Sequence, residues 1–347
     1  MTSAEPPGAP LVVVSQRLGA LSSVEEELEA AGARLMSVPL WTVDEIHANA
    51  ANAWVVILGA VEPMGREALA ALPRLGAVVR RGVGVDNVDV EAATELGIVV
   101  ANVPDASVDE VAEHALAMLL AIERQVPHLD RAVRDGAWAR DPARIELVRA
   151  PIRRIGELTL GIVGLGRIGQ ALARRAGTIY HDVIAADPVA TVDQALVFGA
   201  RLVELDELVG SADHVSLHAP LTGATARLVR KETLAQMRHG VVIVNTARGG
   251  LVDEADLVAA IASGRVRGAG LDVTEREPLP AGSPLLTEQR VILTAHSAAS
   301  STTAQGQLRR RSVDAALAIL AGRQPESIVN PEVLQSTELR AMRLRDA

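Results

Sequence analysis

The sequence contains no cysteine and very few aromatic residues. Among its 347 residues Phe and Tyr occur once each and Trp three times, whereas 49% of the residues are hydrophobic. The absence of cysteine excludes disulfides, thiolate metal sites and thiol nucleophiles. The scarcity of aromatic side chains argues against a nucleic-acid surface built on base stacking. The cores must therefore consist of Ala, Val, Leu and Ile, which is typical of parallel sheets covered by helices on both faces.

Clustered positive charge and long apolar runs are also missing. The formal net charge is -9 and the basic residues are scattered along the chain, which disfavours DNA or RNA as a partner. Met1–Pro10 is polar and Pro-rich, unlike a signal peptide, and the apolar runs are far shorter than the roughly 20 residues of a membrane-spanning helix. His47, His128, His181 and His239 lack carboxylate or histidine partners at metal-ligand spacing, so we expect no metal site. We expect a cytoplasmic protein without a membrane partner.

A glycine-rich turn stands between a predicted strand and a predicted helix. It contains Gly164, Gly166 and Gly169, and the next predicted strand, Val183–Ala186, ends beside Asp187. The three glycines allow, in turn, a tight turn, close approach of the backbone to a pyrophosphate, and close packing of helix on strand. The helix N-terminus offers N–H groups to phosphates. Asp187 would accept hydrogen bonds from the ribose hydroxyls and repel a 2′-phosphate, so the pattern predicts NAD rather than NADP.

Short apolar runs alternate with helix-period segments along the chain, which predicts a doubly wound α/β fold. Runs in the first third predict the strands of a flavodoxin-like unit: Leu11–Val14, Arg34–Val38, Trp54–Leu58, Ala77–Arg80 and Ile98–Ala101. Later runs predict the strands of a second unit: Leu160–Val163, Val183–Ala186, Arg201–Val203, His214–Leu217, Val241–Asn245, Arg267–Leu271 and Val291–Thr294. One long helix is predicted from about Ser107 towards Arg134, and a helix at about Thr303–Ala321 is expected to return to the first unit.

Two α/β domains follow from this pattern. We predict a discontinuous flavodoxin-like substrate domain, residues 1–108 plus 299–347, and a Rossmann NAD-binding domain, residues 109–298.

Three charged residues fall in loops that follow predicted strands of the second unit, namely Arg248, Glu277 and His296. The carboxyl ends of parallel strands face the ligand crevice, so we expect these side chains to converge beside the nicotinamide. A histidine held by a carboxylate suits proton donation to a carbonyl oxygen. An arginine can bind a substrate carboxylate through two hydrogen bonds. The alternative is that all three are ordinary surface residues.

Several longer strings carry a family resemblance: Gly82–Asp89, Gly161–Gly169, His218–Thr222, Asn245–Glu254, Gly270–Pro278 and Thr294–His296. In their order and spacing they make the chain resemble the D-isomer-specific 2-hydroxyacid dehydrogenases over about residues 10–330. Within this family, the sequence most resembles the branch that contains the C-terminal-binding-protein co-repressors.

The resemblance implies a role for each site residue. Arg248 would bind the substrate carboxylate and carbonyl, His296 would be the catalytic acid and base, and Glu277 would support it. The substrate would be bound by main-chain N–H groups of Val83 and Gly84 together with Arg248 and His296. The cofactor would contact Gly164, Gly166, Arg167, Ile168, Gly169, Asp187, His218, Ala219, Pro220, Thr246, Ala247, Arg248 and Asp272, with Asp272 at the carboxamide.

Some positions depart from the family. Ala295 and Thr274 stand where many members have Pro and Phe, and Val83 stands where phosphite dehydrogenases have Lys. The loop Leu58–Met64 lacks the arginines with which 3-phosphoglycerate dehydrogenases bind phosphate. We therefore predict an NAD-dependent oxidoreductase that acts on a small unphosphorylated 2-oxo or D-2-hydroxy acid. The alternative is an NAD(H)-sensing interaction protein like the co-repressors.

Two further features leave alternatives open. His114, beside Glu113 on the predicted long helix, is interpreted as a packing or capping histidine rather than a ligand. The segment Arg140–Ile155 is either an arm that packs against a second subunit or a surface loop, and we expect a homodimer.

Overall fold

The computed structural model describes residues 8–336 and 338–343. They divide into two compact units. Unit 1 comprises the described residues up to Ser107 and from Ser301 onward, and unit 2 comprises Val108–Ser300. Each unit is built on one parallel sheet, of five strands in unit 1 and seven in unit 2. The predicted fold class, two doubly wound α/β domains, is confirmed.

Unit 1 is a flavodoxin-like unit with the strand order β2-β1-β3-β4-β5. Its strands are β1 (Leu11–Ser15), β2 (Arg34–Val38), β3 (Ala53–Leu58), β4 (Ala77–Arg80) and β5 (Val99–Asn102). Its helices are α1 (Ser23–Ala30), α2 (Val43–Ala50), α3 (Arg66–Ala70), α4 (Val90–Glu95), α14 (Thr302–Leu320) and α15 (Arg340–Arg343). Alternate residues of the strands enter two cores, Val13 on one face of the sheet and Val12 and Val14 on the other.

Unit 2 contains the Rossmann order β8-β7-β6-β9-β10-β11, extended by β12 beside β11. Its strands are β6 (Thr159–Val163), β7 (Asp182–Ala186), β8 (Arg201–Leu202), β9 (His214–Leu217), β10 (Val241–Asn245), β11 (Val266–Leu271) and β12 (Val291–Leu293). Its helices are α5 (Val108–Glu123), α6 (Val126–Arg134), α7 (Ala137–Arg140), α8 (Pro142–Arg149), α9 (Arg167–Ala176), α10 (Val192–Val197), α11 (Leu205–Ser211), α12 (Lys231–Gln236) and α13 (Glu254–Ala262).

The long helix expected from Ser107 to Arg134 is two helices. The chain breaks between α5 and α6, where Gln125 takes a left-handed conformation with a φ of 54°. Pro127 follows in the first turn of α6, a position that tolerates a missing N–H. The segment Arg140–Ile155 is also helical in part, because it contains α8. Within the described residues no helix combines the length and the apolarity needed to span a bilayer.

A buried polar cluster lies at the amino ends of the unit 2 strands, around Glu123 at the end of α5. Glu123 accepts hydrogen bonds from the main chain and side chain of Arg153, from His214 and from Arg267. Burial lowers the pKa of His214, so its neutral ring donates to Glu123 and accepts at Nδ1 from the Tyr180 hydroxyl, 2.7 Å away. Burial alone would raise the pKa of Glu123, but the bonds from His214 and Arg153 outweigh it and lower that pKa to about 2. The segment after α8 is thereby attached to the sheet.

Candidate active site

The glycine turn after β6 has the geometry expected of a phosphate-binding loop. A Cβ at Gly164, whose φ is 93°, would lie 2.7 Å from the main-chain nitrogen of Ala219, and a Cβ at Gly169 would lie 2.1 Å from the oxygen of Gly164. Both positions therefore require glycine. At Gly166, the N-cap of α9, no described atom lies within 4 Å of a Cβ position. The space beside Gly166 is therefore open. Arg167 and Ile168 follow it as the first residues of α9, where the helix N-terminus carries a partial positive charge.

Asp187 directly follows β7 and contacts the glycine turn. Its Oδ2 accepts from the N–H of Leu165 at 2.7 Å, and its Oδ1 accepts from the N–H groups of Val189 and Ala190 at 2.8 and 3.0 Å. A carboxylate has about four acceptor positions, so Oδ2 retains capacity for a further donor. The structure thus brings Asp187 to the phosphate loop, where the Rossmann pattern requires an acidic residue.

Two buried polar atoms on neighbouring loops have no hydrogen-bond partner within the described part of the chain. They are Nδ1 of His218, after β9, and Oγ1 of Thr246, after β10. The other ring nitrogen of His218 bonds to the Ser216 hydroxyl, and burial lowers the pKa of His218 to about 4, which keeps the ring neutral at pH 7. Buried polar atoms are normally paired. Together with the open turn at Gly166, these two atoms fit a site for a polar ligand such as a dinucleotide.

Three further predicted cofactor contacts, Ala219, Pro220 and Ala247, lie on the same two loops. Ala219 and Pro220 follow His218, and the N–H of His218 donates to the oxygen of Val163 at the end of β6. Ala247 follows Thr246, and its N–H donates to Oδ1 of Asn245. Both loops therefore begin at the carboxyl edge of the sheet, as the glycine turn does.

His296 and Glu277 form a direct pair. Nδ1 of His296 lies 2.7 Å from Oε2 of Glu277, whose Oε1 accepts from the N–H of Thr274 at 3.2 Å. A carboxylate can only accept, so Nδ1 carries the hydrogen and Nε2 is the ring nitrogen available to a substrate. His296 has a left-handed backbone with a φ of 51°, an uncommon conformation for a residue other than glycine. Such conformations concentrate at functional sites.

Arg248 lies on the loop next to this pair. It follows β10, which pairs with β11, and β11 pairs with β12 before His296. A Cβ at Gly249 would lie 1.9 Å from the oxygen of Thr274, so the Arg248 loop packs directly on the loop that leads to Glu277. The guanidinium of Arg248 donates to the oxygen of Ala247 at 2.6 Å. The three charged residues thus follow three adjacent strands at the same edge of the sheet.

Asp272 holds the loop that carries His296. Its side chain is buried, and it accepts from the Thr294 hydroxyl at 2.5 Å and from the N–H groups of Ser297 and Ala298 at 2.8 and 2.9 Å. Its main-chain oxygen accepts from the N–H of His296. The family resemblance places Asp272 at the carboxamide of the cofactor. The sequence does not predict the hydrogen bonds of Asp272 to the His296 loop, because the partner residues are about 25 positions away along the chain. The carboxamide contact stays a prediction.

The turn Gly82–Gly84 in unit 1 exposes Val83, whereas Gly82 is buried. Gly82 has a φ of 144°, and a Cβ there would collide with the guanidinium of Arg80, which donates to the oxygen of Arg81. The oxygen of Val83 accepts from the side chain of Asn102. Within the described residues, the N–H groups of Val83 and Gly84 donate to no other main-chain group. They can therefore donate hydrogen bonds to an anionic ligand.

Comparisons with known proteins identify the family. Residues 116–298 match the family model described as D-isomer specific 2-hydroxyacid dehydrogenase, NAD binding domain. D-3-phosphoglycerate dehydrogenase of Mycobacterium tuberculosis is 42% identical over 287 residues, which are 83% of this chain and 53% of that protein. Glyoxylate reductase of Korarchaeum cryptofilum is 37% identical over 278 residues, which are 79% of this chain and 82% of that protein.

A solved structure gives the same result. D-lactate dehydrogenase of Aquifex aeolicus, complexed with NAD and lactic acid, superposes with a TM-score of 0.79 at 26% identity and covers 92% of this chain and 98% of that one. The chain spans about half the length of the phosphoglycerate dehydrogenases that it matches. The family match supports NAD as the cofactor. The chain belongs to the D-isomer specific 2-hydroxyacid dehydrogenase family.

Proposed function

We propose that this protein is an NAD-dependent dehydrogenase that interconverts a small unphosphorylated 2-oxo acid and the corresponding D-2-hydroxy acid. The observation that carries the proposal is the pair of His296 and Glu277, 2.7 Å apart, on the same edge of the sheet as Arg248 and the glycine turn. A proton donor, a carboxylate-binding cation and a dinucleotide loop are the groups that this reaction needs.

The residues have separate tasks in the reduction of the 2-oxo acid. NADH, when bound, supplies the hydride. Protonated His296 donates the proton at Nε2 to the substrate's carbonyl oxygen, while Glu277 holds Nδ1 and fixes the orientation of the ring. Arg248 binds the substrate carboxylate and polarises the carbonyl group. In the reverse direction neutral His296 takes the proton from the hydroxyl group at the same atom.

The resemblance also assigns a substrate role to unit 1. We propose that the main-chain N–H groups of Val83 and Gly84 bind the substrate carboxylate. Their lack of other main-chain acceptors among the described residues supports this role.

The loop after β3 supports the choice of an unphosphorylated substrate. From Gly59 to Met64 it contains no cation. Its one charged residue, Glu62, is fully buried and accepts a short hydrogen bond of 2.5 Å from Ser15. Asn87 donates to the oxygens of Gly59 and Glu62 and so attaches this loop to the one that follows β4. A phosphate group placed at this loop would find no arginine or lysine among residues 59–64 to pair with.

The test is the oxidation of NADH with a panel of 2-oxo acids. The panel should include glyoxylate, pyruvate, 2-oxobutyrate, hydroxypyruvate and 3-phosphohydroxypyruvate. We expect turnover with at least one unphosphorylated acid and a much lower kcat/KM with the phosphorylated one. A preference for 3-phosphohydroxypyruvate would contradict the substrate class. Tight NADH binding without turnover of any acid would favour an NADH-sensing interaction protein.

A further inference from the structure

His114 on α5 is hydrogen-bonded to the loop that carries His296. Its Nε2 lies 3.1 Å from Oγ1 of Thr294 and 3.8 Å from Oδ1 of Asp272. Apolar residues of helix α5 such as Ala112, Ala115 and Leu119 are buried in the core of unit 2, and Glu123 at its end belongs to the buried polar cluster at the opposite edge of the sheet. His114 thus connects α5 by a hydrogen bond to the loop that carries His296.

The direction of each hydrogen bond in this chain follows from its members. The carboxylate of Asp272 can only accept, so the single hydroxyl hydrogen of Thr294 is donated to Asp272. Oγ1 of Thr294 must then accept from Nε2–H of His114. Asp272 in turn receives the N–H groups of Ser297 and Ala298. One connected network therefore joins α5 to both sides of His296.

The loop that carries His296 depends on these hydrogen bonds more than a typical loop does. His296 has a φ of 51°, which costs about 1 kcal/mol or more for a residue with a Cβ. The preceding residue is Ala295, which has a wider range of backbone conformations than a proline would have. The hydrogen bonds of the network therefore add to the restraint that Glu277 and the main-chain oxygen of Asp272 place on His296.

We propose that His114 is a positioning residue: through Thr294 and Asp272 it holds the loop Thr294–Ala298, and with it the imidazole of His296, in the geometry for proton transfer. This inference rests on the proposed function, because it assigns proton transfer to His296. A histidine that served only to pack the helix would need no donor at Nε2. The inference therefore predicts that the donor, and not the volume of the side chain, is what matters.

The experiment compares variants that keep the donor with variants that remove it. His114→Gln keeps an N–H donor near the position of Nε2, whereas His114→Leu fills space without one. Thr294→Ser and Thr294→Val form the same kind of pair at the next link. His128→Leu, at a half-buried histidine on α6 outside the network, controls for the loss of a histidine. Each variant is assayed for kcat and KM with the best 2-oxo acid and for NADH affinity by fluorescence.

We expect His114→Leu and Thr294→Val each to lower kcat by about fivefold to thirtyfold, equivalent to 1–2 kcal/mol. NADH affinity and KM should change less than about twofold, because binding contacts are intact. His114→Gln and Thr294→Ser should restore most of the rate, and His128→Leu should behave as the unmodified protein. The double variant His114→Leu/Thr294→Val should be little worse than either single variant, since both break the same network.

The inference is overturned if His114→Leu keeps the normal kcat, if His114→Gln is equally impaired, or if the two losses multiply. His296→Asn, assayed alongside, separates this inference from the proposed function. If His296→Asn is inactive while His114→Leu is normal, only the role of His114 is wrong. If His296→Asn keeps normal turnover, the proposed function fails and the inference fails with it.

Discussion

Glu277 Oε2 lies 2.7 Å from His296 Nδ1, although the two residues are 19 positions apart in the chain. The contact fixes which ring nitrogen carries the hydrogen and leaves Nε2 for the substrate. Glu275, two residues earlier, is the other acidic residue of the same loop. Its N–H donates to Glu254 at 2.6 Å, so the structure distinguishes the two glutamates.

Replacing Glu277 by Gln should lower kcat for 2-oxo acid reduction by at least about tenfold, because a neutral amide stabilises the imidazolium less and can present the wrong group to Nδ1. Glu275→Gln, the matched change on the same loop, should leave kcat unchanged. Steady-state kinetics of the two variants make the comparison. Equal losses of kcat in both variants, or a loss only in Glu275→Gln, would show that Glu277 is not the carboxylate that supports His296.

Replacing Arg248 by Lys keeps the positive charge but removes the planar pair of donors. KM for the 2-oxo acid should rise by about tenfold or more, and kcat should fall as well, since the same group polarises the carbonyl. Arg276→Lys, at an exposed arginine on a nearby loop, is the control and should not change either constant. An Arg248→Lys variant with an unaltered KM would argue against binding of the substrate carboxylate by Arg248.

Asp187 should make the protein select NADH over NADPH. A carboxylate that faces the 2′-phosphate of NADPH costs several kcal/mol, so kcat/KM with NADH should exceed that with NADPH by at least about a hundredfold. Asp187→Asn removes the charge but can still accept a hydrogen bond from the N–H of Leu165. It should lower the ratio of kcat/KM with NADH to kcat/KM with NADPH, mainly because NADH binds more weakly. Comparable rates with both cofactors in the unmodified protein would mean that Asp187 does not face the ribose.

The strands and the order of the loops could be predicted from the sequence because they depend on local patterns. Buried β-branched runs such as Val241–Asn245 have the same bounds in the structure, and the spacing of Gly164, Gly166 and Gly169 predicts the glycine turn. The break between α5 and α6 is not predicted, because Gln125 takes a left-handed conformation without being glycine or asparagine. Pro127, in the first turn of α6, is the local signal of the break.

The network around Asp272 could not be predicted for a different reason. His114 and Thr294 are 180 residues apart, and a single sequence contains no signal for a contact over that distance. The sequence predicts His114, beside Glu113, as a packing or capping residue. The structure adds the hydroxyl of Thr294, 3.1 Å from Nε2 of its ring.

The acid stability of the protein should depend on Glu123. Its pKa is lowered from 4.5 to about 2 in the folded protein, so the unfolded chain takes up the proton first as the pH falls. The resulting stabilisation, on the order of 3 kcal/mol, is complete above about pH 5 and is lost progressively towards pH 2.

Urea unfolding of a Glu123→Gln variant measures this contribution. The variant should be less stable at pH 7 by a few kcal/mol, and the difference should shrink as the pH is lowered from 5 towards 3. Glu146→Gln, at an exposed residue of α8, should unfold as the unmodified protein does. A pH-independent difference would show that the charge of Glu123 is not the source of the stabilisation.

The most direct test of the central claim is the rate of NADH oxidation, followed by absorbance at 340 nm, for the unmodified protein and for His296→Asn with the best unphosphorylated 2-oxo acid. The unmodified protein should turn over. The variant should lose about two to four orders of magnitude in kcat, the usual contribution of a general acid, while it binds NADH with nearly the same affinity. Normal turnover by His296→Asn would contradict the role of His296 as the proton donor.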